Sequence, residues 1–138
     1  MTTTDDVRAL TLRQPWATLV AEHGKDVENR TWPTRWRGTL LIHAGQGFDP
    51  GCPPSARRRT PALPAGAFLA AAALTDCHQH RPGCCASTWA EPDAYHWVLT
   101  GIRPLSVPVP CSGARGLWRP DPELIALARR RLSRAAAR

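Results

Sequence analysis

Short runs of alternating or wholly apolar residues, separated by proline and glycine, predict a chain built mainly from β-strands. Residues 39–44 (TLLIHA) are apolar on both faces until the run ends, which indicates an interior strand. Residues 66–77 contain four successive alanines, which favour a helix, but we predict a buried strand because a closed barrel requires one there. The predicted strands are residues 8–12, 26–32, 39–44, 66–77, 95–99 and 102–109, with 111–118 as a last strand or hook. Residues 45–65, with at most a short helix, and residues 78–93 are predicted loops.

A first helix is predicted after the first strand. Pro15 stands in its first turn and Gly24 at its carboxyl end, positions where these residue types are favoured. Its apolar stripe has the spacing of one helical face. The residues of this stripe are Trp16, Leu19, Val20 and His23.

A second helix is predicted near the C-terminus. Asp121 is a capping residue type, and Pro122 suits the first helical position. A weak apolar stripe follows at Leu124, Ala128, Leu132 and Ala135. We therefore predict one barrel domain over residues 8–118 and an arginine-rich helix over residues 119–138 that packs on the barrel or extends from it.

The composition indicates one domain and an anionic partner. The 138 residues suffice for a single hydrophobic core, and a net charge of +7 with a pI of about 10.1 favours nucleic acid. Because residues 119–138 hold six arginines and two acidic residues, a solvated basic tail is the alternative interpretation. No run approaches the roughly 20 apolar residues of a membrane span, and the first residues lack the pattern of a secretory signal. We expect a cytoplasmic protein with no membrane contact.

Five cysteines and nearby histidines raise the question of a disulfide or a metal site. An odd cysteine count without a secretion signal argues against a disulfide framework. A paired Cys-x-x-Cys is missing, and adjacent cysteines rarely both bind one tetrahedral ion. We therefore expect a polar loop with reduced thiols, no metal and no cofactor. The sequence leaves open whether a metal ever meets the residues Cys77, His78, His80, Cys84 and Cys85.

Lys25 is the only lysine among eighteen basic residues, which makes it a candidate for a position where a guanidinium would not serve. Drift in an arginine-biased genome is the alternative. It follows the carboxyl end of the first helix, where exposed carbonyls favour a cation, and Glu28 adds to that effect. The ammonium should therefore stay charged and hold a phosphate or an oxyanion, which opposes use as a general base. The two-residue period of a strand places the side chains of Asp26, Glu28, Arg30 and Trp32 on one face. A structural charge cluster on a solvated strand is the alternative.

Four segments together resemble the ASCH domain (activating-signal-cointegrator homology) family, over roughly residues 8–118. These segments are residues 12–17 (LRQPWA), 24–32 (GKDVENRTW), 37–44 (RGTLLIHA) and 113–118 (GARGLW). The resemblance implies a mixed α/β, mainly β fold, a small PUA-like β-barrel with a cleft beside the first helix and the strand that follows it. It also implies binding of RNA or modified bases. Some members are amidohydrolases that remove the acetyl group from N4-acetylcytidine, and others have been assigned ribonuclease activity.

We expect the chain to bind single-stranded RNA or a modified nucleotide in an open, anion-seeking hollow around Lys25, Glu28 and Arg30, with DNA as an alternative and the oligomeric state left open. The cations would hold phosphate or a polarised oxygen, the carboxylate would accept from the base, and an indole would stack. The candidate nucleic-acid-binding residues are Arg13, Gln14, Trp16, Lys25, Glu28, Arg30, Trp32 and Arg115. If the protein is an enzyme, the candidate catalytic residues are Lys25 and Glu28, with His43 as a further candidate. Core packing is the alternative interpretation for Trp16 and His43.

The chain departs from the amidohydrolase members at two positions. Those members have a threonine where this chain has Glu28, and they use a glutamate on a later strand, whereas residues 67–75 contain no acid. Thr31 and Ser112 are hydroxyls near the motifs, but nothing in the sequence ties either to a base. We therefore rank a small hydrolase, either amidohydrolase or ribonuclease, below binding. A protein-interaction module that uses the C-terminal helix is the third alternative.

Overall fold

Residues 6–60 and 62–132, which a computed structural model describes, form a six-stranded sheet and three helices. The elements are β1 Arg8–Gln14, α1 Trp16–Glu22, β2 Val27–Arg30, β3 Gly38–Phe48, α2 Pro54–Arg59, β4 Ala67–Gln79, β5 Tyr95–Pro110, β6 Leu117–Trp118 and α3 Pro122–Arg130. The strand order is β2-β5-β4-β3-β1-β6, with β1 parallel to β3 and every other pair antiparallel. The sheet curls into a half barrel, which confirms the predicted mainly β, barrel-like fold with a helix after the first strand.

β4 shows why the alanine run is a strand. It lies between β3 and β5, so both of its faces are covered. Ala70 and Ala72 belong to the core cluster on one side, whereas Phe68 and Ala71 belong to the cluster on the other. Burial on both faces overrides the helix propensity of alanine, and the predicted strand is confirmed.

Several predicted boundaries are wrong. The predicted strands 95–99 and 102–109 form one continuous strand, β5. Gly101 (φ +58°) lies between them, where the pairing register with β4 shifts. A glycine inside a strand therefore marks a bulge here, not a break. β3 continues to Phe48, four residues beyond the predicted end, and β2 ends at Arg30, which leaves Trp32 outside the strand. Of the predicted last strand 111–118, only Leu117–Trp118 is β-structure.

α3 lies against the edge of β5. Ala128 is buried with Leu105, and the Arg131 guanidinium donates to the Pro108 carbonyl at 2.8 Å. Asp121 occupies the position before the helix, but its side chain forms no capping hydrogen bond, so the predicted cap is wrong in that respect. Ala135 and the rest of the predicted helix over 133–138 lie outside the described residues.

No helix within residues 6–60 and 62–132 is long and apolar enough to cross a membrane.

Candidate functional site

A cavity of about 340 Å³ lies beside α1 and β2, where the predicted cleft was expected. Residues of β1, α1, β2 and four connecting segments form its wall. All of them are polar or aromatic, which suits a ligand with both ring surfaces and hydrogen-bonding edges. The lining residues are Thr11, Arg13, Trp16, Lys25, Glu28, Asn29, Arg30, Thr31, Trp32, Asp49 and Glu91.

The turn after α1 directs Lys25 into the protein. Gly24 adopts φ +75°, a left-handed conformation that glycine tolerates, and the Lys25 backbone N–H then donates to the Leu19 carbonyl at 3.1 Å. Lys25 is only 2 % exposed. Its ammonium donates to a Glu28 carboxylate oxygen at 2.9 Å and to the Val27 carbonyl, so the buried charge is paired and hydrogen-bonded.

Glu28 joins two cations. One of its oxygens accepts from Lys25, and the other accepts from the Arg30 guanidinium at 3.3 Å. The latter contact follows from the two-residue period of β2, which places Glu28 and Arg30 on one face. The carboxylate is 11 % exposed and therefore forms part of the cavity floor rather than a solvated strand face.

An indole covers each of these cations. The Lys25 ammonium lies 5.6 Å from the Trp16 ring centre, and the Arg30 guanidinium lies 5.5 Å from that of Trp32, both within range of a cation–π attraction. Trp16 is held by an indole N–H bond of 2.8 Å to Asp49. Trp32 packs edge-on against Trp97 at 4.7 Å. We name the sequence of contacts Trp16, Lys25, Glu28, Arg30 and Trp32 the indole–cation row.

The charges of the cavity lining balance. Its cations are Arg13, Lys25 and Arg30, and its carboxylates are Glu28, Asp49 and Glu91. The expected anion-seeking hollow is therefore a mixed-charge hollow, because two of these carboxylates come from loops outside the predicted motif.

Asp49 keeps its negative charge. The Trp16 indole N–H, followed by the Gly51 backbone N–H, lowers the pKa of the Asp49 carboxyl below its usual value. A second contact runs from Asp49 to the Arg13 guanidinium at 3.7 Å. Arg13 is mostly exposed, with 62 % of its side chain accessible at the cavity mouth.

Two sequence candidates do not line the cavity. The Gln14 side chain is buried on the opposite face of β1, where its oxygen accepts from the Thr18 N–H at 3.0 Å and its nitrogen donates to the Pro64 carbonyl at 2.7 Å. It anchors the start of α1 and cannot meet a ligand in the cavity, because adjacent strand residues face opposite ways. Arg115 is exposed and lies outside the cavity lining.

His43 lies in a neighbouring site. It is buried between Phe68 and Trp118 and lines a second cavity of about 570 Å³ instead of the one around Lys25. Its Nε2 lies 2.9 Å from the Cys111 carbonyl, which can only accept, so Nε2 carries the proton. Nδ1 is then free to accept from the Thr11 hydroxyl at 3.2 Å.

Five lining residues were not among the site candidates from the sequence: Thr11, Asn29, Thr31, Asp49 and Glu91. Thr11 lines both cavities. A signal for it was present, because it stands two residues before Arg13 on the same strand and shares its face. Asp49 lies in the irregular segment after β3, and Glu91 lies in the irregular segment before β5. In neither segment does the sequence carry a periodicity that relates the residue to Lys25.

The loop that was predicted to hold reduced thiols brings two of its cysteines, both free, close to two histidines. Within the described residues, the side chains of His78, Cys84 and Cys85 converge with that of His96. Cys77 and His80, which the sequence placed beside them, do not join this group. His96 was missed because it lies on the next strand, where pairing brings it opposite His78.

Comparison with known proteins identifies the family. The sequence model of the ASCH domain matches residues 10–102, which is more than half of the 138-residue chain and includes all of α1, β2, β3 and β4. A search of curated proteins found no match. The chain therefore belongs to the ASCH domain family, as its motifs and its half-barrel sheet indicate.

Proposed function

We propose that the protein binds single-stranded RNA by holding one nucleotide, with a modified base as the preferred ligand, in the cavity around Lys25, Glu28 and Arg30. The ASCH family has a PUA-like fold and is generally RNA-binding or hydrolase-like. The observation that carries the proposal is the indole–cation row, which combines two ring surfaces with charged hydrogen-bonding groups in one small cavity.

The size of the cavity supports one base rather than a longer segment. At about 340 Å³ it lies near the lower end of the range of ligand pockets, about 300–1,000 Å³. Stacking of a base on an indole is worth about 1–3 kcal/mol and is open to any base. Selectivity must therefore come from the polar groups. Glu28 retains acceptor capacity beyond its two cation contacts, and Arg30 retains donors beyond its bond to Glu28.

The balanced charges support recognition of the base more than of the phosphate. Inside the cavity each cation has a carboxylate partner, so the field on a bound anion is largely cancelled. Arg13 differs from the other two cations in its location. Its guanidinium is mostly exposed at the cavity mouth and lies 3.7 Å from Asp49, which is long for an ion pair. In this proposal Arg13 contacts the phosphate while the indole–cation row contacts the base.

The test is calorimetric titration of the full chain with short single-stranded RNA, the matching DNA, and nucleosides that include cytidine and N4-acetylcytidine. Arg30→Ala should weaken RNA binding by about tenfold or more, since it removes a charged hydrogen bond and the cation over Trp32. Arg58→Ala is the matched control, because Arg58 is an exposed arginine on α2 that does not line the cavity. Equal losses for both variants would show that RNA binds the basic surface instead.

A hydrolase is the second candidate, and the Thr11–His43 contact favours it. Thr11 lines the cavity, and its hydroxyl donates to the unprotonated Nδ1 of His43, as in a nucleophile activated by a base. Cys111 holds the imidazole through Nε2. In this alternative the Thr11 oxygen attacks the acetyl carbon of N4-acetylcytidine and Nδ1 takes the hydroxyl proton. That proton passes to the departing N4 amine, and water then hydrolyses the threonine ester to acetate.

Mass analysis after incubation with N4-acetylcytidine and with labelled RNA distinguishes the two functions. Binding predicts that both are recovered intact. Hydrolysis predicts free cytidine and acetate, with loss of the reaction in Thr11→Val and retention in Thr100→Val, a threonine exposed on β5. Cleaved RNA would indicate a ribonuclease, for which the described cavity lining offers no histidine as base.

A further inference from the structure

A cluster of two thiols and two imidazoles lies at the base of the loop between β4 and β5. Its four candidate donor atoms all lie within 4.8 Å of one another. The Cys84 and Cys85 sulfurs are 3.7 Å apart, and they lie 3.5 and 3.3 Å from Nδ1 of His96. Nε2 of His78 is 3.1 Å from the Cys85 sulfur.

Three of these four separations are close to the edges of a tetrahedral zinc site, and the fourth, from His78 to Cys85, is shorter. Bond lengths of about 2.3 Å for Zn–S and 2.0–2.1 Å for Zn–N give edges of about 3.8 Å between two sulfurs and about 3.5 Å between sulfur and nitrogen. The Cys84–Cys85 distance agrees with the first edge, and the two distances to His96 lie near the second. Neighbouring cysteines therefore need no large movement to share one ion.

Both imidazoles are oriented for metal binding. Nδ1 of His78 lies 2.7 Å from the Asp76 carboxylate, and Nε2 of His96 lies 2.6 Å from the Glu91 carbonyl. Since these oxygens accept, each outer nitrogen carries the proton and each inner nitrogen directs a lone pair at the thiols. Metal-binding histidines usually have such a carboxylate or carbonyl partner, which fixes the tautomer and raises ligand basicity.

We propose that His78, Cys84, Cys85 and His96 bind one zinc ion in a closed Cys₂His₂ site. Two thiolates and two imidazoles in tetrahedral arrangement select zinc among the common divalent ions, and two thiolates neutralise its charge. Four protein donors leave no position for a substrate, so the site is structural. In the sequence, the adjacency of the two cysteines argued against a zinc site. The pairing of β4 with β5 places His78 opposite His96, and these two histidines supply the remaining two ligands.

The zinc site fixes one wall of the cavity around Lys25. The loop that it closes reaches β2, where the Asn29 amide donates to the Trp89 carbonyl and its oxygen accepts from the Glu91 N–H, both at 2.9 Å. Glu91 itself lines the cavity. Loss of the metal should therefore loosen Glu91 while leaving the Lys25–Glu28 pair in place. The zinc site does not depend on the proposed function, because its ligands lie outside the cavity lining.

The test is elemental analysis of the full chain purified without chelator, followed by chelator stripping and titration with Co²⁺. We expect one zinc per chain, and for Co²⁺ intense visible bands of a tetrahedral ion with thiolate charge-transfer absorption in the near ultraviolet. Cys84→Ser and His96→Asn should lose stoichiometric zinc, whereas Cys77→Ser is the matched control and should retain it, because Cys77 lies outside the quartet. Asp76→Asn should weaken zinc binding by about 10–100-fold while keeping the same cobalt spectrum.

The unaltered chain keeps the proposal falsifiable even if a ligand variant fails to fold. A native chain that takes up neither zinc nor cobalt, or whose cobalt complex has the weak bands of an octahedral ion, would overturn it. So would a disulfide between Cys84 and Cys85 that persists in reducing buffer, or loss of the metal in Cys77→Ser with retention in Cys84→Ser.

Discussion

The ammonium of Lys25 lies 2.9 Å from the carboxylate of Glu28 inside the protein, where the lysine is 2 % exposed and the glutamate 8 %. A buried pair of this kind contributes less to stability than its geometry suggests, because both charges lose their hydration. Removal of one partner is costly, since the other charge then remains buried without compensation.

Glu28→Gln should therefore reduce the free energy of unfolding by about 3–5 kcal/mol. The neutral amide removes the negative charge that compensates Lys25 and Arg30, and it keeps only one acceptor oxygen where the carboxylate offered one to each cation. Urea denaturation measures the loss, and Glu91→Gln is the control, because Glu91 is exposed and a surface change is usually within about 0.5 kcal/mol. A loss for Glu28→Gln no larger than that of the control would mean that the pair is solvated and not part of the core.

Lys25→Arg should not preserve the site. The ammonium lies between Val27, Glu28 and the Trp16 ring, and the larger planar guanidinium has no room there, so we expect a loss of about 1–3 kcal/mol from overpacking. Arg58→Lys, an exchange between the same residue types at an exposed position of α2, is the control and should change stability little. If Lys25→Arg retains full stability and RNA affinity, the choice of lysine at this position has no physical basis.

The strands and the Lys25 motif were predictable because their signals are local. The two-residue period of β2 and the glycine turn after α1 suffice to place Glu28, Arg30 and Lys25 together. The rest depends on pairing between distant segments. Asp49 and Glu91 enter the cavity from loops, and His96 meets His78 only because β5 pairs with β4 in that register. Gln14 was misplaced for the opposite reason, since its motif neighbours face the cavity while its own side chain faces the core.

Gly113→Ala should disturb the Thr11–His43 contact. A Cβ at this position would lie 2.7 Å from both the Thr11 hydroxyl oxygen and the His43 ring, so either both side chains or the segment around residue 113 must move. We expect a destabilisation of about 1–3 kcal/mol, typical of overpacking, and a shift of the His43 ring resonances in the NMR spectrum. Gly47→Ala is the matched control, because its Cβ would meet Arg13 at an ordinary 3.5 Å. Unchanged His43 resonances in Gly113→Ala would show that the segment around residue 113 yields easily.

Asp49 should make stability depend on acid pH. Its pKa in the folded chain is lowered, chiefly by the Trp16 indole N–H, from an ordinary value of 3.8. A carboxyl with a lowered folded pKa stabilises fully above its unfolded pKa, and that contribution is lost as the pH falls through the folded value. Asp49→Asn should therefore lower stability near neutral pH and reduce the further loss below about pH 4. Denaturation curves over this pH range, with Asp93→Asn as an exposed control outside the cavity lining, measure the difference, and parallel pH profiles for wild type and Asp49→Asn would contradict it.

Because the charges of the cavity balance, we expect the affinity for a nucleoside to depend weakly on salt concentration and the affinity for RNA to depend on it more strongly. A nucleoside lacks phosphate, so its affinity should change little between low and high salt, whereas RNA affinity should fall in proportion to the number of phosphates contacted. Arg13→Ala should reduce the magnitude of the RNA salt slope by about one contact and leave nucleoside binding unchanged, because its guanidinium lies at the cavity mouth. Trp32→Leu should do the reverse, with loss of about 1–3 kcal/mol of nucleoside affinity at an unchanged slope. Calorimetry at several salt concentrations measures both quantities. If Arg13→Ala and Trp32→Leu alter the slope equally, base and phosphate are not held by separate parts of the site.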